Sequence, residues 1–348
     1  MKAYPDIASV LENKATAIAK DAYHDMTINK PILTAAFDET IWITYFSQKI
    51  LELATSMLAG DPGIIKTQVA WSIKAMKARD LHVEDLKSSY DSLKHCLEKS
   101  LSSDQFEPVM SYIDLAINSF DNPAKEDDAS VLDPGNPFHV IAQRYLQAVV
   151  VGNIHQGMDI VIDSIDNGLT VPDIFLYALL PAQREVGRLW QLNKLSVAEE
   201  HLVTTTTQRL MSVLAAKQSR EAFNGKTVIA ATIEGNVHEV GIRAIAYLFE
   251  FAGWKMIYLG SDIPAADLPI TVNCFNADVI LLSISLSSQL KSMRNAIKQV
   301  RAKSESPVKI IIGGSGFIGN ENLWQSMGAD GYANDATGAL ALAEELVK

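Results

Sequence analysis

The stretch TVIAATIEGNVHEVGIRAIAYLFEF, Thr227–Phe251, decides the fold of the second half of this chain. Its first seven residues are an unbroken β-branched and Ala run, the mark of a strand buried on both faces. From Val240 the apolar residues switch to three- and four-residue spacing, the mark of a helix. The polar turn between them carries Asn236 and His238. The same alternation repeats four times downstream: Lys255–Leu259 then Ala265–Phe275, Val279–Ser283 then Gln289–Ala302, Val308–Ile312 then Glu321–Met327, and Gly331–Ala333 then Ala336–Val347. Five strand–helix units predict a doubly wound, parallel, Rossmann-like sheet with right-handed crossovers. Ligands of such sheets sit outside the carboxyl ends of the strands. That rule selects the loops Glu234–Gly241, Gly260–Pro264, Ser283–Ser288 and Gly313–Gly316.

Upstream of Phe223-Asn224-Gly225 the pattern is helical throughout. Val140–Val151, Ile154–Asn167, Pro172–Leu192 and Val197–Ser219 predict a four-helix bundle with short connections. Ser196 followed by Glu199 reads as a capping box opening the fourth helix. The segment 121–137, DNPAKEDDASVLDPGNP, is rich in Pro, Asp and Gly and reads as a linker. Before it lies an all-helical region, with apolar periodicity in Ile41–Leu58, Ile64–Met76, Leu86–Leu101 and Phe106–Phe120. Asp61-Pro62 reads there as an N-cap followed by Pro at the first helical position. The fold class expected is therefore α/β plus all-α, in four parts: an all-helical domain at 1–120, the linker at 121–137, a four-helix cap at 138–222 and a Rossmann-like domain at 226–348.

Of the 348 residues, 48% are hydrophobic and 20% charged, enough to bury real cores, and the formal net charge is −11. Neutralising a nucleic-acid backbone needs clustered Lys and Arg, so no nucleic-acid partner is expected. The two cysteines, Cys96 and Cys274, are far apart and lack metal-type spacing, which points to a reducing compartment. Met1–Asp6 shows no apolar signal core, and no apolar run approaches the roughly 18 residues of a membrane span. The expectation is a cytoplasmic, soluble protein with no membrane partner.

In the first loop, His238 stands where the first strand ends. Neutral imidazole is a good transition-metal ligand, and Asn236, two residues before it, is placed to bond the other ring nitrogen. The third loop is dense in hydroxyls at Ser283, Ser285 and Ser287. Gly313 and Gly314 open the fourth, leaving the backbone bare for a large planar group. Singly these are weak signals, since a lone His is most often structural and a Gly pair most often a turn.

Together they resemble the cobalamin-binding domain shared by methionine synthase, corrinoid carrier proteins and light sensors. That family shows D-x-H-x-x-G, about 41 residues, S-x-L, 26 to 28 residues, then G-G. Here Asn236 to Gly241 is followed by residues 242–282, then Ser283-Ile284-Ser285, then residues 286–312 and Gly313-Gly314. The resemblance implies that His238 is the lower cobalt ligand, replacing the nucleotide base. It also implies that Ser283, Ser287, Gly313 and Gly314 lie along the displaced tail. Two departures stand out: Asn236 replaces the Asp, and Ser285 replaces the Leu. A neutral amide orients an imidazole but does not titrate, which weakens a reading as redox-cycling methyl carrier.

The phrase WQLNKLSVAEEH, Trp190 to His201, resembles the W-x9-E-H signature of cobalamin light sensors of the carotenoid-repressor type. That resemblance implies a helical cap over adenosylcobalamin, with Trp190 and Glu200 around the adenosyl group. The cobalt-binding His that follows the Trp in that repressor is Gln191 here, which leaves His201 or water for the upper face. The repressor type begins with a basic DNA-binding helix-turn-helix, and the first segment here shows no such basic element, so direct DNA binding is not expected. Asp61–Phe120 resembles globin-like sensor domains and the N-terminal part of photoreceptors that pair cobalamin with a bilin, so His24, His82 and Cys96 become candidate contacts to a second tetrapyrrole. Trp42, Trp71 and Tyr90 read as core. The leading expectation is a cobalamin-dependent light sensor, not an enzyme, that binds adenosylcobalamin and works as a homo-oligomer or with a signalling partner. The alternatives are a corrinoid carrier or methyltransferase subunit, and a module that only mediates protein contacts.

Overall fold

The computed structural model describes residues 1–30, 38–121, 128–317 and 323–348. Two compact units emerge, residues 1–127 with 287–291, and residues 128–286 with 292–348.

The first unit is all helix: α1 (Pro5–Asn29), α2 (Glu39–Ala59), α3 (Gly63–Lys77), α4 (Val83–Ser100) and α5 (Ser103–Asn118). Leu11, Ile18 and Met26 of α1 share a fully buried core with Phe46, Ile50 and Leu53 of α2. Each such side chain contributes about 1.5–3 kcal/mol by leaving water. α1 shows little apolar periodicity because much of its buried face is alanine: Ala8, Ala15, Ala19 and Ala22. The start of α3 differs by one residue from the expectation. Asp61 does accept a hydrogen bond, from Gly63 N at 2.7 Å, while Pro62 stands at the N-cap. Trp42 and Tyr90 join the core, but Trp71 is 39% exposed, so it is a surface residue.

The second unit begins with the bundle: α6 (Pro137–Val150), α7 (Ile154–Asp166), α8 and α9 (Val197–Lys217). Helix α8 runs continuously through α-helical Val171–Asp173, π-helical Ile174–Leu179 and α-helical Leu180–Gln191. The π turn precedes Pro181, whose missing N–H and ring interrupt an ordinary ladder; Leu180 N reaches back to Phe175 O instead. The Ser196–Glu199 capping box is present in both directions. Residues 122–127 of the linker lie outside the described residues. Its later part is packed: Leu132 is buried in the bundle core, and Glu185 accepts from Val131 N at 3.1 Å. Arg188 binds Glu185 through Nη2 at 2.5 Å and Nε at 2.8 Å, and reaches Asp128 O at 2.8 Å.

The sheet follows, with β1 (Thr227–Ile233), β2 (Lys255–Ile263), β3 (Val279–Ser283), β4 (Lys309–Gly313) and β5 (Gly331–Ala333), all parallel in the order 2-1-3-4-5. Helices α10 (Val240–Phe251), α11 (Leu268–Phe275), α12 (Leu290–Lys303) and α13 (Leu323–Met327) make the four crossovers, and α14 (Ala336–Leu346) follows β5. Glu321, the expected start of α13, lies outside the described residues. Every residue of β1 is buried, as a central parallel strand requires. Val228 and Ala230 pack with Ile242, Ala246 and Phe249 of α10 and with Ala339 and Ala343 of α14. The bundle core also contains Ala244, Leu248 and Phe251 of α10, so bundle and sheet share one helix.

The loops after β3 and β4 are locked together through glycine. A Cβ on Gly314, whose φ is +103°, would lie 2.0 Å from Ile284 O, and one on Gly313 would lie 2.6 Å from Ala333 O. The bareness expected to admit a planar ligand is thus already used by the chain itself at these two positions. Gly314→Ala should cost at least about 3 kcal/mol in urea unfolding. Gly168→Ala, also at positive φ but with open space around it, should cost only about 1 kcal/mol. Equal costs would show that the loop contact contributes nothing.

Glu185 offers a pH test. Burial pushes its carboxyl up, but the Arg188 guanidinium, Val131 N–H and Ser130 outweigh this and hold it below the usual carboxylate value. A lowered folded pKa adds stability above the unfolded value near 4.3 and loses it as pH falls through the folded one. Glu185→Gln should therefore cost about 2 kcal/mol near neutrality and flatten the stability profile below about pH 4.5. A parallel profile would contradict this pairing.

Candidate functional site

The turn after β1 is organised around Asn236, which is completely buried. Its side-chain Nδ2 donates to Ser283 O at the end of β3, 3.1 Å away. Its Oδ1 accepts from His238 N at 3.2 Å and faces His238 Nδ1 at 3.2 Å. These contacts permit one orientation of the amide. Turned over, its NH2 would face the His238 backbone N–H, donor against donor, and its oxygen would face Ser283 O, acceptor against acceptor. With Oδ1 fixed toward Nδ1, that ring nitrogen must carry the proton. The lone pair is then on Nε2, on an imidazole exposed outside the carboxyl end of β1. This is the tautomer a metal bound through Nε2 requires.

Among the described residues no three His, Cys, Asp or Glu side chains gather to hold a bare metal ion. The imidazole of His238 by itself offers a metal one nitrogen ligand. The space around it is open. Val237 and Leu286 are exposed apolar residues beside His238 and in the β3 loop, and a Cβ on Gly241 would meet nothing within 4 Å. Ser283 ends β3 and is half-buried, Ser285 O accepts from Ser315 Oγ at 2.9 Å, and Ser287 opens the short turn Ser287–Gln289.

Helix α9 of the bundle reaches this loop. Gln208 Nε2 donates to Glu239 Oε1 at 2.9 Å, and one turn further along α9 Ser212 accepts from Tyr247 of α10 at 3.0 Å. The two helices thus run side by side in the same sense. Thr204 and Glu200, about 6 and 12 Å back along α9, extend past the start of α10 and over the space outside the strand ends. Thr204 Oγ1 lies 2.7 Å from Glu200 Oε1 and 2.9 Å from Gln183 Oε1 of α8. Gln183, Gly187 and Trp190 follow at i, i+4 and i+7 on one face of α8. Trp190 is half-buried, and Gly187 leaves a notch, since a Cβ there would meet nothing within 4 Å. Trp190 and Glu200 therefore stand on the faces of α8 and α9 that the Gln183–Thr204 bond joins. His201 does not: it sits about 100° around α9 from that row, its side chain is exposed, and its Nε2 lies 3.4 Å from Glu200 Oε2.

Glu239, next to the ligand candidate, also takes Tyr258 Oη at 2.8 Å and Arg243 Nη2 at 2.9 Å. Burial foremost, with Glu239 beside it, pushes the Tyr258 hydroxyl well above its usual value, so it stays a donor. Gln183, Thr204, Gln208 and Glu239 were not singled out from the sequence. The helical spacing 200–204–208 was the one signal present.

In the first unit the three tetrapyrrole candidates do not converge. His24 and Cys96 line one cleft of about 280 Å³ with Asp21, Asp25 and Lys99. His82 stands at the N-cap of α4, roughly 20 Å along that helix from Cys96. Burial, with Asp25 and Asp21 adding to it, pushes the Cys96 thiol up to about 11, so it is protonated and a poor nucleophile for attaching a bilin.

Two family models match, each described as a B12 binding domain, over residues 226–341 and 141–215. A corrinoid protein of Desulfitobacterium hafniense is 24% identical over 207 residues, covering 58% of this chain and 94% of the relative. Dimethylamine corrinoid protein 3 of Methanosarcina mazei is 30% identical over 122 residues, 34% of this chain and 71% of the relative. The structure of the monomethylamine corrinoid protein of Methanosarcina barkeri matches with a TM-score of 0.53 at 18% identity, over 60% of this chain and 98% of that one; at that identity it speaks to the fold. These relatives support cobalamin binding and lend nothing to the light-sensor or bilin expectations. Among the described residues no helix is long and apolar enough to cross a membrane. The chain belongs to the B12-binding corrinoid protein family.

Proposed function

We propose that this chain is a corrinoid carrier. It would hold cobalamin base-off between the α8–α9 face and the strand ends, with His238 Nε2 beneath the cobalt, and present it to a partner protein. Bound cobalamin would supply a cobalt that holds and releases a methyl carbon. The observation that carries this is the Asn236 amide, which faces His238 Nδ1 and leaves Nε2 as the nitrogen that would meet a metal. Similarity to proteins named as dimethylamine corrinoid proteins favours carriage over catalysis by this chain itself. Ser283, Ser285, Ser287, Gly241, Gly313 and Gly314 would border the displaced tail, as the family spacing implies. Asn236 would orient the imidazole without taking its proton.

A second reading keeps adenosylcobalamin as the ligand and light as the signal. It is favoured by the bonded row Gln183, Thr204 and Glu200 where α8 meets α9, whose amide, hydroxyl and carboxylate groups suit a polar upper ligand better than a bare methyl.

Titration of the full chain with hydroxocobalamin and methylcobalamin should give a base-off, histidine-ligated spectrum, and His238→Ala should lose it. An unaltered spectrum in His238→Ala would remove the ligand assignment. The methylcobalamin form should surrender its methyl group to a thiol when a corrinoid-dependent methyltransferase is added. A light-driven change in elution volume of the adenosylcobalamin form, without such transfer, would decide for the second reading.

A further inference from the structure

Strand β2 loses register with β1 twice just before the His238 loop, and the second irregularity carries a side chain that no sequence motif singled out. Pairing runs Thr227 with Lys255 through Ala230 with Tyr258, then Ala231 with Gly260 and Ile233 with Ile263. One residue of β1, Thr232, therefore faces two of β2, Ser261 and Asp262. Such bulges re-aim side chains and recur beside functional sites. Asp262 is the bulged residue in the left-handed region, with φ of 59°, a conformation held only when its surroundings determine it.

Those surroundings are the backbone of the His238 loop. Asp262 Oδ1 accepts from Gly235 N at 2.7 Å. Asp262 N donates to Thr232 Oγ1 at 3.0 Å and to Asn236 O at 3.1 Å. The Thr232 hydroxyl, buried in β1, donates to the same Asn236 carbonyl. Asn236 N donates to Ile233 O at 3.0 Å. With the side-chain amide bonded to Ser283 and His238, every polar group of Asn236 is pinned. Thr232 and Asp262 pin its backbone, and the backbone sets where the amide points.

We infer that Asp262 and Thr232 are positioning residues that brace the Gly235–His238 turn in the conformation that presents Nε2 to cobalt. This rests on the reading of His238 as the ligand. The brace explains why the bulge lies at the end of β2 nearest the loop: an in-register strand would carry its side chains to the sheet faces, not over the turn.

Three variants of the full chain separate the parts. Asp262→Gly accepts the left-handed backbone but lacks the carboxylate, Asp262→Asn keeps both the backbone tolerance and an acceptor, and Thr232→Val removes the hydroxyl. Asp262→Gly and Thr232→Val should weaken hydroxocobalamin binding roughly three- to ten-fold and lower the fraction of cob(II)alamin showing a nitrogen lower ligand by electron paramagnetic resonance. Asp262→Asn should stay within about two-fold of wild type. Amide hydrogen exchange in the cobalamin-free protein gives a readout that needs no ligand. Gly235 and His238 amides should exchange faster in Asp262→Gly, with the rest of the sheet unaffected. The brace is overturned if Asp262→Gly matches wild type in exchange and ligation, or if its losses track global unfolding in urea. Should wild type show no histidine ligation while the exchange difference persists, the ligand assignment fails and the brace stands.

Discussion

One buried side-chain amide organises the functional end of this molecule. Asn236 spans from the last carbonyl of β3 to both the backbone and the ring of His238. Because it gives a proton at one end and takes them at the other, it can point only one way, and the ring it faces can carry its proton on only one nitrogen. An aspartate there would meet the Ser283 carbonyl with a second acceptor. The departure from the family's Asp is therefore matched by a donor requirement in this fold. It also fixes the imidazole's tautomer with a group that does not itself change charge.

The rest of the α/β unit serves that placement. A 2-1-3-4-5 parallel sheet puts β1 and β3 side by side, so the turn after one can bond the end of the other. The glycines after β4 let that loop close on the β3 loop, and the bulge in β2 brings Asp262 over the turn from the other flank. Above, α9 contacts the same turn at Glu239 and carries Thr204 and Glu200 beyond it. The candidate binding space is thus bounded by one helix face and four loops whose positions depend on one another.

Much of this was legible in the sequence because it depends on local periodicity. Thr227–Ile233, Val279–Ser283, Gly331–Ala333 and Val240–Phe251 were read with the bounds the structure has. β2 was read short, ending at Leu259 rather than Ile263, because Gly260 and the bulge break the apolar run that marks a strand. α1 escaped separate notice because an alanine-rich face contrasts weakly with a polar one. What stayed hidden was non-local: the bonds of Asp262 to Gly235, Gln208 to Glu239 and Gln183 to Thr204 join elements whose adjacency no spacing reveals. His82 and Cys96 show the reverse error, two suggestive residue types on one helix too far apart to share a ligand.

The central claim is that the nitrogen beneath cobalt belongs to His238. The direct measurement is electron paramagnetic resonance of the cob(II)alamin complex made with protein carrying 15N only in histidine. Nitrogen-14 below cobalt splits each line into a triplet, and nitrogen-15 into a doublet. A triplet that becomes a doublet on labelling, and disappears in His238→Ala, is the expected result. A triplet unchanged by the label would place the nucleotide base, not the protein, beneath the metal and would contradict the account.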